Sequence, residues 1–268
     1  MSFNPMAPPS VLHEIPFSLT PAELSLQKMV TDLYQILEGA GPQSLIATAL
    51  RRRLESSLAA LESILRGLAE GAQDRFDGTP ESVEEEAAHE MRAYRMDRST
   101  AEKAAAAVGH ALQQIEAIAT DSKLGAFGLA LNHIKRVGKP SRRICVLTDY
   151  LTTLYYLAAE IEGKDISYYL LHGAMSADDH RRSLKLFRNK GELLLATRAV
   201  LIEDACLSEV TDLVLYDGPD SEATLRQVLA RFDRFGRVDQ LCVHVFTSSN
   251  GFEGLAAKRL GIIRSVLG

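Results

Sequence analysis

Residues 143–197 read RICVLTDYLTTLYYLAAEIEGKDISYYLLHGAMSADDHRRSLKLFRNKGELLLAT, and three short apolar runs stand out in them: Ile144 to Leu147, Ile166 to Leu171 and Leu193 to Ala196. Two more follow, Leu213 to Tyr216 and Leu241 to Phe246. These runs are nearly continuous in apolar residues rather than alternating with polar ones, which is the pattern of strands buried on both faces. Stretches of helical length separate them, so the chain from here on predicts an α/β fold: a parallel sheet with right-handed crossovers and helices on both faces. In such sheets ligands sit beyond the C-terminal ends of the strands. The residues at those ends are Thr148, Asp149 and Tyr150, then His172 and Gly173, then Thr197 and Arg198, and then Asp217, Gly218 and Pro219.

A helix predicted from about Ser221 carries Gln227, Arg231 and Arg234. Their spacing of i, i+4 and i+7 puts all three on one helical face. Two guanidiniums aimed together across a cleft can neutralise charge on a transferring phosphoryl group. A surface helix with unrelated arginines is the plainer reading of the same spacing.

Upstream of Arg143 the periodicity is helical. Residues 1 to 17 hold four prolines and no sustained period, the mark of an extended leader lying on a partner or another domain. Thr20, Pro21 and Glu23 form a capping box with proline in the first turn, and Leu26, Met29, Val30, Leu33, Ile36 and Leu37 continue at helical spacing. A single long helix is expected from Ser44 to about Glu70 on the repeat of Leu50, Leu54, Leu58, Leu61, Leu65 and Leu68. An acidic linker is read from Gln73 to about Arg98, then an alanine-rich helix from about Thr100 to Ala119 and another capped by Asp121. The organisation expected is residues 1–120 as a helical region with an acidic linker and residues 121–268 as the sheet domain.

The net charge of −5 argues against the whole chain being a polyanion binder. Residues 1–120 hold 10 Lys+Arg against 17 Asp+Glu and residues 121–268 hold 20 against 18, so any nucleic-acid affinity belongs to the second half and to a local cluster within it. No run approaches the roughly 20 apolar residues of a membrane span and the N-terminus has no signal-peptide pattern, so no membrane partner and a cytoplasmic address are expected. The three cysteines fall in no paired arrangement and are expected reduced and buried. The seven histidines show no zinc spacing, so no metal site is expected, and Ser248, Ser249 and His244 lack a nucleophile elbow.

From Asp121 to about Phe246 the chain resembles the C-terminal helicase domain of superfamily 2, and within it the Swi/Snf-like branch that includes bacterial RNA-polymerase-associated remodellers. The resemblance rests on DSKL at 121–124, ICVLTDY at 144–150, YYLLHGAMSADDHRRSLKLF at 168–187, LLLAT at 193–197 and QVLARFDR at 227–234. The capped helix at Thr20 and RRRLESS at 51–57 resemble the brace that links the two motor domains in that branch. The resemblance implies a RecA-like sheet preceded by an all-helical brace. It implies Arg231 and Arg234 as arginine fingers, Gln227, Glu203 and Asp204 on the ATP side, and Thr148, His172, Gly173, Thr197 and Arg198 along double-stranded DNA.

Four positions depart from the family pattern: Asp204 and Cys206 stand near an expected glycine and asparagine, Ala230 replaces a glycine, and His180 replaces an arginine. No G-x-x-x-x-G-K-[ST] loop or Asp-Glu strand end occurs in the sequence. ATP and Mg²⁺ are therefore expected only together with a separate first RecA-like domain, with this chain a fragment or one subunit of a split motor. The alternatives are a catalytically inert RecA-like binding or regulatory module and an unrelated nucleotide-binding α/β protein.

Overall fold

A computed structural model describes residues 10–38, 44–69, 98–137, 142–204, 207–232, 240–251 and 255–267. The chain divides into two compact units, one made of Met1–Phe17 with Ala126–Gly268 and the other of Ser18–Gly125.

The helical unit begins with α1 (Pro21–Glu38). Its capping box forms as the sequence predicts: Thr20 N donates to Glu23 Oε2 at 2.6 Å and Glu23 N to Thr20 Oγ1 at 3.3 Å. The same Glu23 carboxylate accepts from Ser122 N and Ser122 Oγ, at 2.8 and 2.6 Å. Where one long helix is expected from Ser44 to about Glu70, the structure has two, α2 (Ser44–Ser56) and α3 (Leu58–Ala69). The break has a local cause. Ser57 Oγ accepts from Ala60 N at 3.0 Å and so caps α3, while Lys123 Nζ donates to the carbonyls of Glu55 and Ser56 at 2.7 and 3.1 Å and satisfies the end of α2. With α4 (Arg98–Ala117), these helices close a core of Leu26, Leu33, Leu37, Leu50, Leu61, Leu65, Val108 and Ala111. α5 (Ser122–Val137), capped by Asp121 Oδ1 on Leu124 N at 2.8 Å, runs from this unit into the other.

The second unit is a six-stranded parallel sheet: β1 (Val11–Phe17), β2 (Ile144–Thr148), β3 (Tyr168–Leu171), β4 (Leu193–Thr197), β5 (Asp212–Leu215) and β6 (Cys242–Ser248), in the order β1-β6-β5-β2-β4-β3. β2, β4 and β5 are buried along their whole length, as their apolar sequences require. The end of the leader, Val11–Phe17, contributes the sixth strand. β1 lies at the edge, paired only with β6, where Pro16 breaks no ladder because an edge strand bonds on one side alone.

The crossovers are α6 (Leu151–Ile161), α7 (Ala177–Lys190), α8 (Arg198–Asp204) and α9 (Glu222–Phe232), and α10 (Leu255–Leu267) ends the chain. Alternate strand residues Cys145, Leu147, Leu194, Ala196, Leu213, Leu215 and Val243 pack with Phe187 of α7, Leu201 of α8, Leu225, Val228 and Phe232 of α9 and Ile263 of α10. The intervening strand residues point to the opposite face, where Phe127 of α5 meets Tyr216 edge-on at 5.7 Å. Of the cysteines, Cys145 is buried, and that burial holds its thiol far above the ordinary range. Cys242 is only half-buried, against expectation, because it starts a strand beside the edge; Cys206 lies outside the described residues.

Candidate functional site

β2 leads through α6 toward one edge of the sheet and β5 leads through α9 toward the other, so the two connections part between adjacent strands. A crevice opens at such a point, beyond the C-terminal strand ends. Here it holds a network of charged and polar groups. Thr148 Oγ1 donates to Asp217 Oδ2 at 2.6 Å and the backbone N of Asp149 donates to the same oxygen at 2.8 Å. Arg198, the first residue of α8 and 7% exposed, pairs through Nη2 with Asp149 Oδ1 at 2.9 Å and donates to the carbonyls of Asp217 and Gly218 at 2.8 and 3.4 Å. The ends of β2, β4 and β5 are thereby tied to one another. From the tail helix, Arg259 reaches Asp220 with Nη2 at 2.8 Å and Nε at 3.2 Å, and its stem lies so near Gly218 that a Cβ there would stand 3.0 Å from Arg259 Cδ.

Burial is the main cause that pushes the Asp149 carboxyl up, to about 6; Arg198 opposes the shift and Asp217 adds to it. Thr197 is buried beside Arg198 at the end of β4. At the end of β3, His172 is buried with its Nε2 3.1 Å from the hydroxyl of Tyr155, while its Nδ1 is buried without a hydrogen-bond partner. Burial, then His180, lowers its pKa below the ordinary histidine value. His180 Nε2 lies 2.7 Å from the His172 carbonyl, which can only accept, so that nitrogen carries the proton. Gly173 follows on an exposed turn.

On α9, Val228 and Phe232 are buried while Gln227 is exposed and Arg231 half-buried. Leu207 N donates to the Arg231 carbonyl at 2.9 Å, pinning the last turn of α9 to the loop beyond α8. Arg234 and the side chains of Glu203 and Asp204 lie outside the described residues; the backbone of the latter two ends α8. Five expected residues, Thr148, His172, Gly173, Thr197 and Arg198, therefore stand at three strand ends, with Gln227 and Arg231 on α9.

Residues 129–236 match the family model of the helicase conserved C-terminal domain. That stretch is similar to a helicase C-terminal domain, and solved structures agree on a RecA-like fold. The C-terminal part of the Fun30 ATPase domain is similar over 97% of this chain and 89% of its own, with a TM-score of 0.59 at 13% identity. The Pyrococcus furiosus Hef helicase domain is similar over 91% of this chain at 18% identity and a TM-score of 0.55, and this chain spans 57% of its length. No curated protein matches the sequence.

Among the described residues no three His, Cys, Asp or Glu side chains converge so as to hold a metal ion, and no helix is long and apolar enough to cross a membrane. The partners of Arg198 were hidden from sequence reasoning although Asp149 and Asp217 were both placed at strand ends. Arg259 carries no sequence signal: it lies 39 residues after the aspartate it binds, in a helix with no motif.

Proposed function

We propose that this chain is the second RecA-like half of a DNA-dependent ATPase of the helicase and remodeller type, in the Swi/Snf-like branch. The strand-end crevice is one wall of a double-stranded-DNA groove, and α9 presents Arg231 and Arg234 to ATP held on a first RecA-like domain. One observation carries this reading. The strand ends and α9 are tied at both ends of the helix, through Arg198 to the Asp217–Gly218 turn before it and through Leu207 to the Arg231 carbonyl in its last turn. Movement at the DNA wall would therefore be passed to the arginines.

Within this reading Gly173, exposed, lets a phosphate backbone approach, Thr148, His172 and Thr197 form the floor, and Arg198 acts by holding Asp149 and the Asp217 turn. Gln227, Glu203 and Asp204 face the nucleotide. Arg198, Arg259 and their carboxylates satisfy one another, a donor set that does not suit Mg²⁺ or a triphosphate, so phosphates and metal would be held by the partner domain. A second reading, an inert RecA-like module, is favoured by Ala230 in place of a glycine and by the full internal engagement of Arg198.

The purified chain is expected to hydrolyse no ATP, with or without duplex DNA, and to gain activity when a cognate first RecA-like domain is added. In that assembly Arg231→Ala should lower kcat by roughly 10³ to 10⁵ while DNA affinity stays within about twofold, since a finger acts on the transition state. Arg234→Lys, which keeps charge but loses the planar fork, should also be impaired. Turnover of Arg231→Ala above about a tenth of wild type, against the finger effect, would move the assignment to the inert module.

A further inference from the structure

α7 carries five cations in 14 residues, Arg181, Arg182, Lys185, Arg188 and Lys190, all exposed, and its buried side chains Ser183 and Phe187 point the other way. Arg181 pairs with Asp178 and Arg188 with Glu209 at 2.9 Å. Arg182, Lys185 and Lys190 have no carboxylate partner among the described residues. The helix dipole accounts for Lys190, which lies in the last turn, but not for Arg182 and Lys185 in the middle.

Along the helix Arg181 and Lys185 are i, i+4, while Arg182 and Lys185, like Lys185 and Arg188, are i, i+3. Like charges at those spacings destabilise an isolated helix. This stripe therefore repels itself: Asp178 and Asp179 stand i−4 and i−3 from Arg182, but no acidic residue of the helix lies at those spacings from Lys185. It is also rigidly mounted: Ser183 Oγ donates to the Leu170 carbonyl at 2.5 Å, and Phe187 is fully buried. Its N-terminal end adjoins the strand-end crevice through the contact of His180 with His172.

We infer that the outer face of α7 is a second, sequence-independent contact for the phosphate backbone of duplex DNA, extending the groove from Gly173 along the flank of the sheet. This rests on the DNA-groove reading above. The local cluster that the weakly positive second half needs for nucleic-acid binding is this stripe.

The test uses the full chain and a fluorescein-labelled 20-base-pair duplex, with anisotropy titrations from about 50 to 300 mM KCl, a range in which counterion release is resolved. Each phosphate contact contributes about 0.9 to the slope of log K against log salt. The triple substitution Arg182→Gln, Lys185→Gln, Lys190→Gln should reduce the slope by roughly 2 to 3, and Arg182→Lys with Lys185→Arg should restore it; unchanged melting temperatures exclude unfolding. Gly173→Asp, in the crevice, reports the groove separately. If Gly173→Asp weakens binding but the triple variant keeps the wild-type slope, the α7 contact is overturned and the groove stands. If wild type binds no duplex at 50 mM KCl, both fall. If poly-L-glutamate binds with dependence on the α7 cations and the duplex does not, the face serves an acidic protein and the inference is wrong.

Discussion

Asp149 is charged in the unfolded chain above about pH 4, yet in the fold burial pushes its carboxyl up to about 6. Between those values the native state keeps a proton that the unfolded state releases, so this group makes stability fall as pH rises through the window and leaves it level above. Urea midpoints measured from pH 4 to 7 should show that fall in wild type and lose it in Asp149→Asn. Because Arg198 opposes the shift, Arg198→Gln should move the Asp149 midpoint further up, read by ¹³C carboxyl titration. A wild-type midpoint near 4, the unperturbed value, would contradict the burial argument. The sequence located Asp149, Arg198 and Asp217 by their places after strands. It could not say that they bind one another, because the three come from strands that are neighbours only once the sheet order is known.

At the scale of elements, strands were legible wherever they run apolar for their whole length, and their ends moved by two residues at most, as with β3 starting at Tyr168 rather than Ile166. The leucine repeat of residues 50 to 68 shows a helical period but not the division into two helices, since Ser57 as a cap differs from Ser57 in mid-helix only through Lys123, far along the chain, which closes off α2. The joint between α7 and β4 is set by close approach. Gly191 has an ordinary backbone (φ −80, ψ 139), but a Cβ there would lie 2.6 Å from Phe187 Cα and 2.8 Å from both Phe187 Cδ2 and Tyr169 Cε2. Gly191→Ala must push the end of α7 off β3, at a cost of about 1–3 kcal/mol as overpacking. Calorimetry should show a melting temperature several degrees lower, and a change under about 1 °C, well below what such a cost implies, would show that the joint gives way freely.

For the whole molecule, two hydrophobic cores of separate composition imply two units of stability. Leu61→Ala, at a fully buried site of the helical unit, removes about 2–5 kcal/mol of packing. Hydrogen exchange should then quicken in α1, α3 and α4 while β2, β4 and β5 keep wild-type protection; equal loss in both would mean one cooperative unit. By itself the sequence determined the parallel α/β sheet, the helical region before it and which residues follow each strand, because hydrophobic period and caps are written in neighbouring residues. Only the tertiary structure decided that Val11–Phe17, the end of the leader, is the sixth strand, that Arg198 is held by Asp149 and Asp217, and that Arg259 closes the same network. Each of those depends on partners far apart in the chain: β1 and β6 are separated by more than 200 residues, and no local pattern records which strand edge or carboxylate a distant segment will meet.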